Sequence, residues 1–340
     1  MLKQPLRVAV IGGGAIAEMA HLPALVQASH AVVAGLAEVD PGRRTLLADR
    51  FDICRAVADY RELIGAIDAA IIALPHHLHA AVAVELLLSG VHVLVEKPMA
   101  LNIRDSDAMI SASRSSGAIL AVGLARRFVP SLQFTRTALQ SGMLGDLRHF
   151  QLSEGRIYDW NPASAYAFER QSGGVLADLG AHALDLVLWW FGDCAQFMYF
   201  DDALGGVESD CHIELTMTSG LSGTVDLSRS RTLRDICTIE GSRATLSVGI
   251  KPRSHVQLTI QGSDSLLTGE VRSEASHASA DRFRLQLEDF LGAVRDGRPV
   301  AVPGTEGRRS VDLIERCYQQ RRRLDRPWDC IEGCPAQESQ

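Results

Sequence analysis

Residues Arg7–Ala17 read RVAVIGGGAIA, a short apolar run that stops on three glycines and resumes with small residues. Val8 to Ile11 has the Val/Ile content of a buried strand, and residues 15–28 space their apolar side chains as a helix does. Gly12-Gly13-Gly14-Ala15-Ile16-Ala17 between them fits G-x-G-x-x-A. Gly12 permits a tight turn, Gly14 lets the backbone approach a pyrophosphate, and Ala17 lets the helix sit close on the strand. The first amides of that helix offer positive potential to phosphate oxygens. The motif assigns Gly12, Gly14, Ala15 and Ile16 to a dinucleotide. The context of strand, turn and helix carries more weight than the glycines alone.

Working outward, strand-like runs at 6–11, 32–37, 69–74, 91–95 and 119–122 alternate with helical patterns at 15–28, 41–51, 77–89 and 103–116. This alternation predicts an α/β fold, a doubly wound parallel sheet ending near Gly123. Beyond Arg126 the pattern changes. A helix (131–141), a long strand (147–156) and the helix carrying Asp178 and His182 precede strands at 198–204, 211–217, 221–227, 235–240 and 256–260. Successive strands with short turns predict a large, mostly antiparallel open sheet. A polar, Ser-rich loop over 262–280 and two helices, 283–296 and 305–323, close the chain. The division is therefore 1–124, a Rossmann dinucleotide-binding domain; 125–330, a substrate-binding α/β domain; and 331–340, a tail.

At 340 residues, 46% of them hydrophobic, the chain supports two cores. A net charge of -7 with no basic stripe argues against nucleic acid as a partner. Arg321–Arg323 reads as a solvated helix end. Seven cysteines, an odd number scattered through the elements, read as reduced thiols of a cytoplasmic protein. Cys330 and Cys334 lack nearby histidines, and no metal site is assigned. No apolar run nears the roughly 20 residues needed to span a bilayer.

Glu38 ends the second strand-like run, placed to accept from a ribose diol, whereas Asp40 precedes Pro41 and caps the next helix. That acid favours NAD over NADP, although Arg43 and Arg44 follow closely enough to receive a 2′-phosphate. Strand carboxyl ends are where open sheets bind ligands. Leu74, His76 and His79, in ALPHHLH, are accordingly candidates for the cofactor ribose or substrate side; for each histidine a hydrogen bond to backbone is an equal alternative. Three histidines without a carboxylate make a poor metal set.

Val93-Leu94-Val95-Glu96-Lys97-Pro98 places Lys97 at another strand end, held by the restricted backbone before proline. A Lys-Pro bond can adopt the cis form, which would fix its aim. Its ammonium can stabilise negative charge on a substrate oxygen, while Glu96 anchors Lys97 or the cofactor ribose. In GGVLADLGAHALDLVLWWFG (173–192), Asp178 and His182 stand four residues apart in an apolar helix and share a face. His182 is the candidate base and Asp178 the group that orients substrate or imidazole. Of Arg126 and Arg127 at the domain junction, one reaches cofactor or substrate and the other an interdomain carboxylate; Arg127 is assigned to the cofactor. Arg156, Tyr158 and Trp160, after the long strand, are candidates for gripping a polyol.

The G-x-G-x-x-A turn, Glu96-Lys97-Pro98, GG-x3-D-x3-H with Leu184-Asp185, and His21-Leu22-Pro23-Ala24 resemble the Gfo/Idh/MocA family of oxidoreductases over nearly the whole chain. The resemblance implies a Rossmann domain, a C-terminal sheet that forms homodimers or homotetramers, NAD or NADP, and Lys97, Asp178 and His182 as a catalytic trio. It implies transfer of hydride to or from a secondary alcohol of a sugar, cyclitol or related polyol. A dinucleotide-binding regulator and an NAD-assisted glycoside hydrolase of the same fold are the alternatives. One departure is Leu74 before Pro75, where a small residue is common.

Overall fold

A computed structural model describes residues 4–157, 173–203, 206–251, 255–262, 266–271 and 282–325. The first unit is a parallel sheet of β1 (Leu6–Ile11), β2 (Ala31–Ala37), β3 (Ala56–Val57), β4 (Ala69–Ile72), β5 (His92–Val95) and β6 (Leu120–Val122). Its order is β3-β2-β1-β4-β5-β6. Val8, Val10 and Ile71 face one core, Ile11, Ile72 and Val93 the other, and all are buried. Helices α1 (Leu22–Val26), α2 (Pro41–Phe51), α3 (His76–Leu88) and α4 (Ile103–Ser116) connect the strands. Asp40 accepts from the Arg43 amide at 2.6 Å and Pro41 opens α2, as the sequence predicts. Asn102 caps α4, and Gly117 closes it at φ 75°. Strand order reverses between β1 and β4, so a crevice opens at their carboxyl ends.

The second unit runs α5 (Pro130–Gln140), β7 (Leu147–Gly155), α6 (Ala181–Phe191), β8 (Cys194–Asp201), β9 (Asp210–Met217), β10 (Ser222–Ser228), β11 (Ile236–Gly241), β12 (Ala244–Gly249), β13 (His255–Ile260), β14 (Leu266–Glu270), α7 (Arg282–Asp296), α8 (Gly304–Gln319) and β15 (Arg321–Arg323). Its nine strands are ordered β14-β13-β12-β11-β7-β10-β9-β8-β15, antiparallel except for β7/β10 and β8/β15. Phe150, Leu152, Ile213, Leu215 and Val225 pack beneath Leu184, Val187 and Leu188 of α6. Gln151, Thr224, Thr238 and Ser247, paired across neighbouring strands, alternate with these core residues and occupy the opposite face.

Several expectations are corrected. The helix at 15–28 is a π-helical turn, Ala17–His21, followed by the short α1. Strands β3, β12, β14 and β15 were not foreseen; β14 lies inside the stretch read as a loop, and too few apolar residues mark it. Arg321–Arg323 is an edge strand parallel to β8 rather than a helix end, with Arg321 paired to Asp201 at 2.7 Å and Glu208 at 3.1 Å. Residues of α7 assigned to the second unit pack on the first: Leu287, Phe290 and Leu291 join Val8, Val10 and Leu22 in one core. Pro303 bridges β6 at Ala121, and α8 spans both units, Val311 in one core and Leu313 and Ile314 in another. The chain thus returns to its first sheet after building its second. The cysteines at 54, 194, 211, 237 and 317 are free thiols; Cys330 and Cys334 lie outside the described residues.

Candidate active site

β1 ends at Gly12, whose φ of 99° favours glycine and whose added Cβ would stand 2.4 Å from the Ala73 carbonyl oxygen. Gly14 is exposed, and an added Cβ there meets nothing within 4 Å. A turn closed on the protein side and open on the other is the shape a pyrophosphate needs, so the residues present fit a dinucleotide. Ala15 is exposed and Ile16 half-buried beside it. Glu38 Oε2 accepts the Gly13 amide at 2.6 Å and Oε1 the Asp40 amide at 2.9 Å, so its carboxylate sits against the glycine turn. Arg43 donates to the Gly13 carbonyl and to Glu18, and Arg44 to the Glu38 carbonyl. Both arginines are thereby tied to the same turn.

The fixed end of β5 holds the reactive amine. Buried Glu96 joins His21 Nε2 at 2.7 Å through Oε1 and accepts the Lys97 amide at 3.1 Å through Oε2. Burial raises the Glu96 carboxyl, and the bond to His21 and the nearby charges more than reverse it, leaving it below its ordinary value. Of its two expected roles, Glu96 occupies the one that anchors Lys97. The Lys97–Pro98 peptide is cis. Lys97 Nζ then lies 2.7 Å from Asp178 Oδ1 and 3.1 Å from the Asp178 carbonyl, across 81 positions of sequence.

Asp178 belongs to a π-helical turn, Leu176–Gly180, that runs directly into α6 with His182 near its start. Such turns recur at functional sites because they re-aim side chains without ending the helix. Asp178 Oδ2 accepts from Arg229 at 2.9 Å, a residue just past β10. Burial raises the Asp178 carboxyl, but Lys97 and Arg229 outweigh it and hold the group far below the carboxylate range. It is therefore ionised at any working pH. His182 is pushed well below a histidine's ordinary value, first by burial and then by the charges of Arg126 and Lys97, with Asp178 opposing. Its Nδ1 is buried and has no hydrogen-bond partner among the described residues. The imidazole is consequently neutral at neutral pH, ready to receive a proton. Lys97, Asp178 and His182 stand within electrostatic range of one another.

Other expected site residues fall elsewhere. His79 is shut inside the protein, Nδ1 2.9 Å from the Pro98 carbonyl and Nε2 2.8 Å from that of Leu74. Its assignment to the cofactor gives way to the backbone alternative: it ties the turn after β4 to the segment after Lys97. His76 lies half-buried with its ring edge-on to His79 at 5.7 Å, and Leu74 is half-buried beside the glycine turn. Arg127 is corrected likewise. Its guanidinium grips Asp185 at 2.6 to 3.1 Å and Glu306 at 2.9 Å, both ends of the fork being taken up within the protein. Arg126 grips Glu154 of β7 at 2.6 and 2.8 Å, and Lys251 reaches the same carboxylate at 2.7 Å. Both arginines therefore pair with carboxylates across elements. Arg156 is exposed at the end of β7; Tyr158 and Trp160 lie outside the described residues. Sequence reasoning missed Arg229 and Glu154. Arg229 follows a strand, a signal available in principle, but only the parallel pairing of β10 with β7 brings its strand end to the cleft.

Residues 6–124 match the family described as "Oxidoreductase family, NAD-binding Rossmann fold", and residues 132–247 match the GFO/IDH/MocA C-terminal domain. Trans-1,2-dihydrobenzene-1,2-diol dehydrogenase of Mus musculus is 30% identical over 72% of this chain and 74% of its own length. Myo-inositol 2-dehydrogenase of Thermotoga maritima is 25% identical over 91% of this chain and 94% of its own. Aldose-aldose oxidoreductase from Caulobacter crescentus shares the fold with a TM-score of 0.84 at 21% identity, covering 93% of this chain and 97% of that one. Two family matches in order, with this fold and this cleft between them, place the chain in the GFO/IDH/MocA family: it is an oxidoreductase with an NAD-binding Rossmann domain.

Proposed function

We propose that the protein oxidises or reduces a secondary alcohol or ketone of a sugar, cyclitol or related polyol, with NAD as its cofactor. The supporting observation is the Lys97–Asp178 contact of 2.7 Å beside the unpartnered Nδ1 of a neutral His182, at the carboxyl edge of the Rossmann sheet. The relatives named for diol and inositol dehydrogenases support the substrate class.

NAD supplies the hydride acceptor or donor when bound; the residues handle the oxygen and the proton. In the oxidative direction the alcohol O–H proton passes to the His182 imidazole as the carbinol C–H electron pair leaves and the carbonyl forms. Lys97 Nζ faces the oxygen and stabilises the negative charge that develops on it. Asp178, held from its other side by Arg229, fixes the ammonium in place. Reduction reverses each transfer, with the imidazolium as acid. Glu38 against the glycine turn supports NAD over NADP, since a carboxylate there repels a 2′-phosphate.

Replacing Lys97 by Ala tests the mechanism. Turnover with a responsive polyol should fall on the order of 10² to 10⁴-fold, the scale of losing a charge stabiliser. NAD affinity, measured by calorimetry, should stay within a few-fold of the parent. Turnover close to that of the parent would remove Lys97 from the chemistry and the proposal with it.

A further inference from the structure

The charges around His182 are unequal. Lys97 and Arg229 meet on Asp178; Arg126 and Lys251 meet on Glu154, with Asp235 at 3.9 Å from Lys251. Glu96 is already taken up by His21 and the Lys97 amide. Arg282 is different. It opens α7, lies half-buried with its guanidinium 4.8 Å from the centre of the Phe283 ring, and has no carboxylate at ion-pair distance among the described residues. Phe283 in turn stands edge-on to His21 at 5.7 Å, which places the start of α7 against the Glu96 end of the cleft. Arg282 is near enough for its charge to act on His182, while Arg126 and Glu96 act on Arg282 itself.

A half-buried guanidinium with no countercharge is costly to keep in a folded protein. Arg282 is moreover crowded by a second cation, Arg126. The whole molecule carries a net charge of -7, so this local excess of positive charge runs against its background. The fork of donors on an arginine matches a carboxylate in two hydrogen bonds. Neutral polyols offer no group that repays such a charge.

We infer that Arg282 forms an anion subsite beside His182, and that the sugar or polyol handled here carries a carboxylate. The inference rests on the dehydrogenase function proposed above and narrows its substrate to sugar acids. In that arrangement Lys97 and His182 address the reacting carbinol while Arg282 holds the acid group at the other end of the molecule. Orientation by a charge distant from the reacting carbon selects which hydroxyl meets the base.

The test uses the full chain saturated with NADH, titrated calorimetrically with matched pairs: D-glucuronate against D-glucose, and D-galacturonate against D-galactose. At least one acid should bind ten-fold or more tightly than its neutral partner, and the preference should shrink as salt is raised. In Arg282→Gln that preference should drop to less than three-fold, while Arg282→Lys retains part of it and NADH affinity moves less than three-fold. Equal binding of acid and neutral sugar by the parent protein, or no binding of either, overturns the inference. So does a preference that survives in Arg282→Gln. Loss of NADH affinity in that variant also overturns it, reassigning Arg282 to the cofactor's phosphates. None of these readouts needs turnover, so the dehydrogenase proposal stands or falls separately on Lys97→Ala.

Discussion

At the scale of single residues, the cleft works by setting two ionisations in opposite directions. Asp178 is kept charged by two cations, and His182 is kept neutral by burial and by the same positive surroundings. A base that is already deprotonated needs no high pH to act. For oxidation, kcat/KM should therefore stay level as pH falls through 6.5 and decline only well below it; a pH–rate profile with its acid limb at 6.5 or above would contradict this assignment. Stability follows the same sign. The folded imidazole binds its proton less readily than the unfolded one, so the unfolded chain takes up the proton first and stability is lost as pH drops below about 6.5. In His182→Asn the fall in melting temperature between neutral and mildly acidic pH should be smaller than in the parent.

At the scale of elements, the junction is held by buried ion pairs rather than by apolar contact alone. The short helical turn Ala125–Phe128 sends Arg126 to β7 and Arg127 to α6 and α8, so one turn ties three elements of the second unit to the last strand of the first. Asp185 is 1% exposed, and removing its partner strands a carboxylate where water cannot reach it. Arg127→Met should cost about 3–5 kcal/mol in denaturant unfolding, whereas Arg127→Met combined with Asp185→Leu should recover much of that loss. A double variant no more stable than the single would show that the pair is not the interaction at issue. The π-helical turns at Ala17–His21 and Leu176–Gly180 have a related role, since each stands where its helix meets the cleft. An i, i+4 spacing placed Asp178 and His182 correctly on one segment, but the widened turn and the side chains from β5 and β10 decide where they point.

At the scale of the molecule, the crevice at the strand reversal lies between a glycine turn on one side and the Lys97–Asp178 contact on the other. Ligand that binds only the folded chain stabilises it by mass action, about 2.7 kcal/mol at a hundred times Kd. NAD at fixed concentration should accordingly raise the melting temperature more than NADP does. Glu38→Ala should narrow that difference, because it removes the carboxylate at the Gly13 amide. Equal shifts for the two cofactors in the parent protein would count against the preference for NAD. The return of α7 to the first sheet also means that the two units share a boundary built from three separate stretches of chain.

The sequence by itself determined what depends on neighbours along the chain. The G-x-G-x-x-A turn, the cap at Asp40, the alternation of strands and helices and the Asp178/His182 spacing all rest on local backbone and periodicity, and β1 and α2 lie where those signals put them. Periodicity gave no warning of β14, and it read β15 as a helix end, because short edge strands carry little apolar pattern of their own. Only the tertiary structure decided the partners. That Lys97 meets Asp178, that Arg229 holds it from behind, and that Arg127 and His79 turn inward follows from β5, β10, α6 and α8 being brought together. The charge environment of a side chain is a sum over spatial neighbours, and no stretch of sequence contains it.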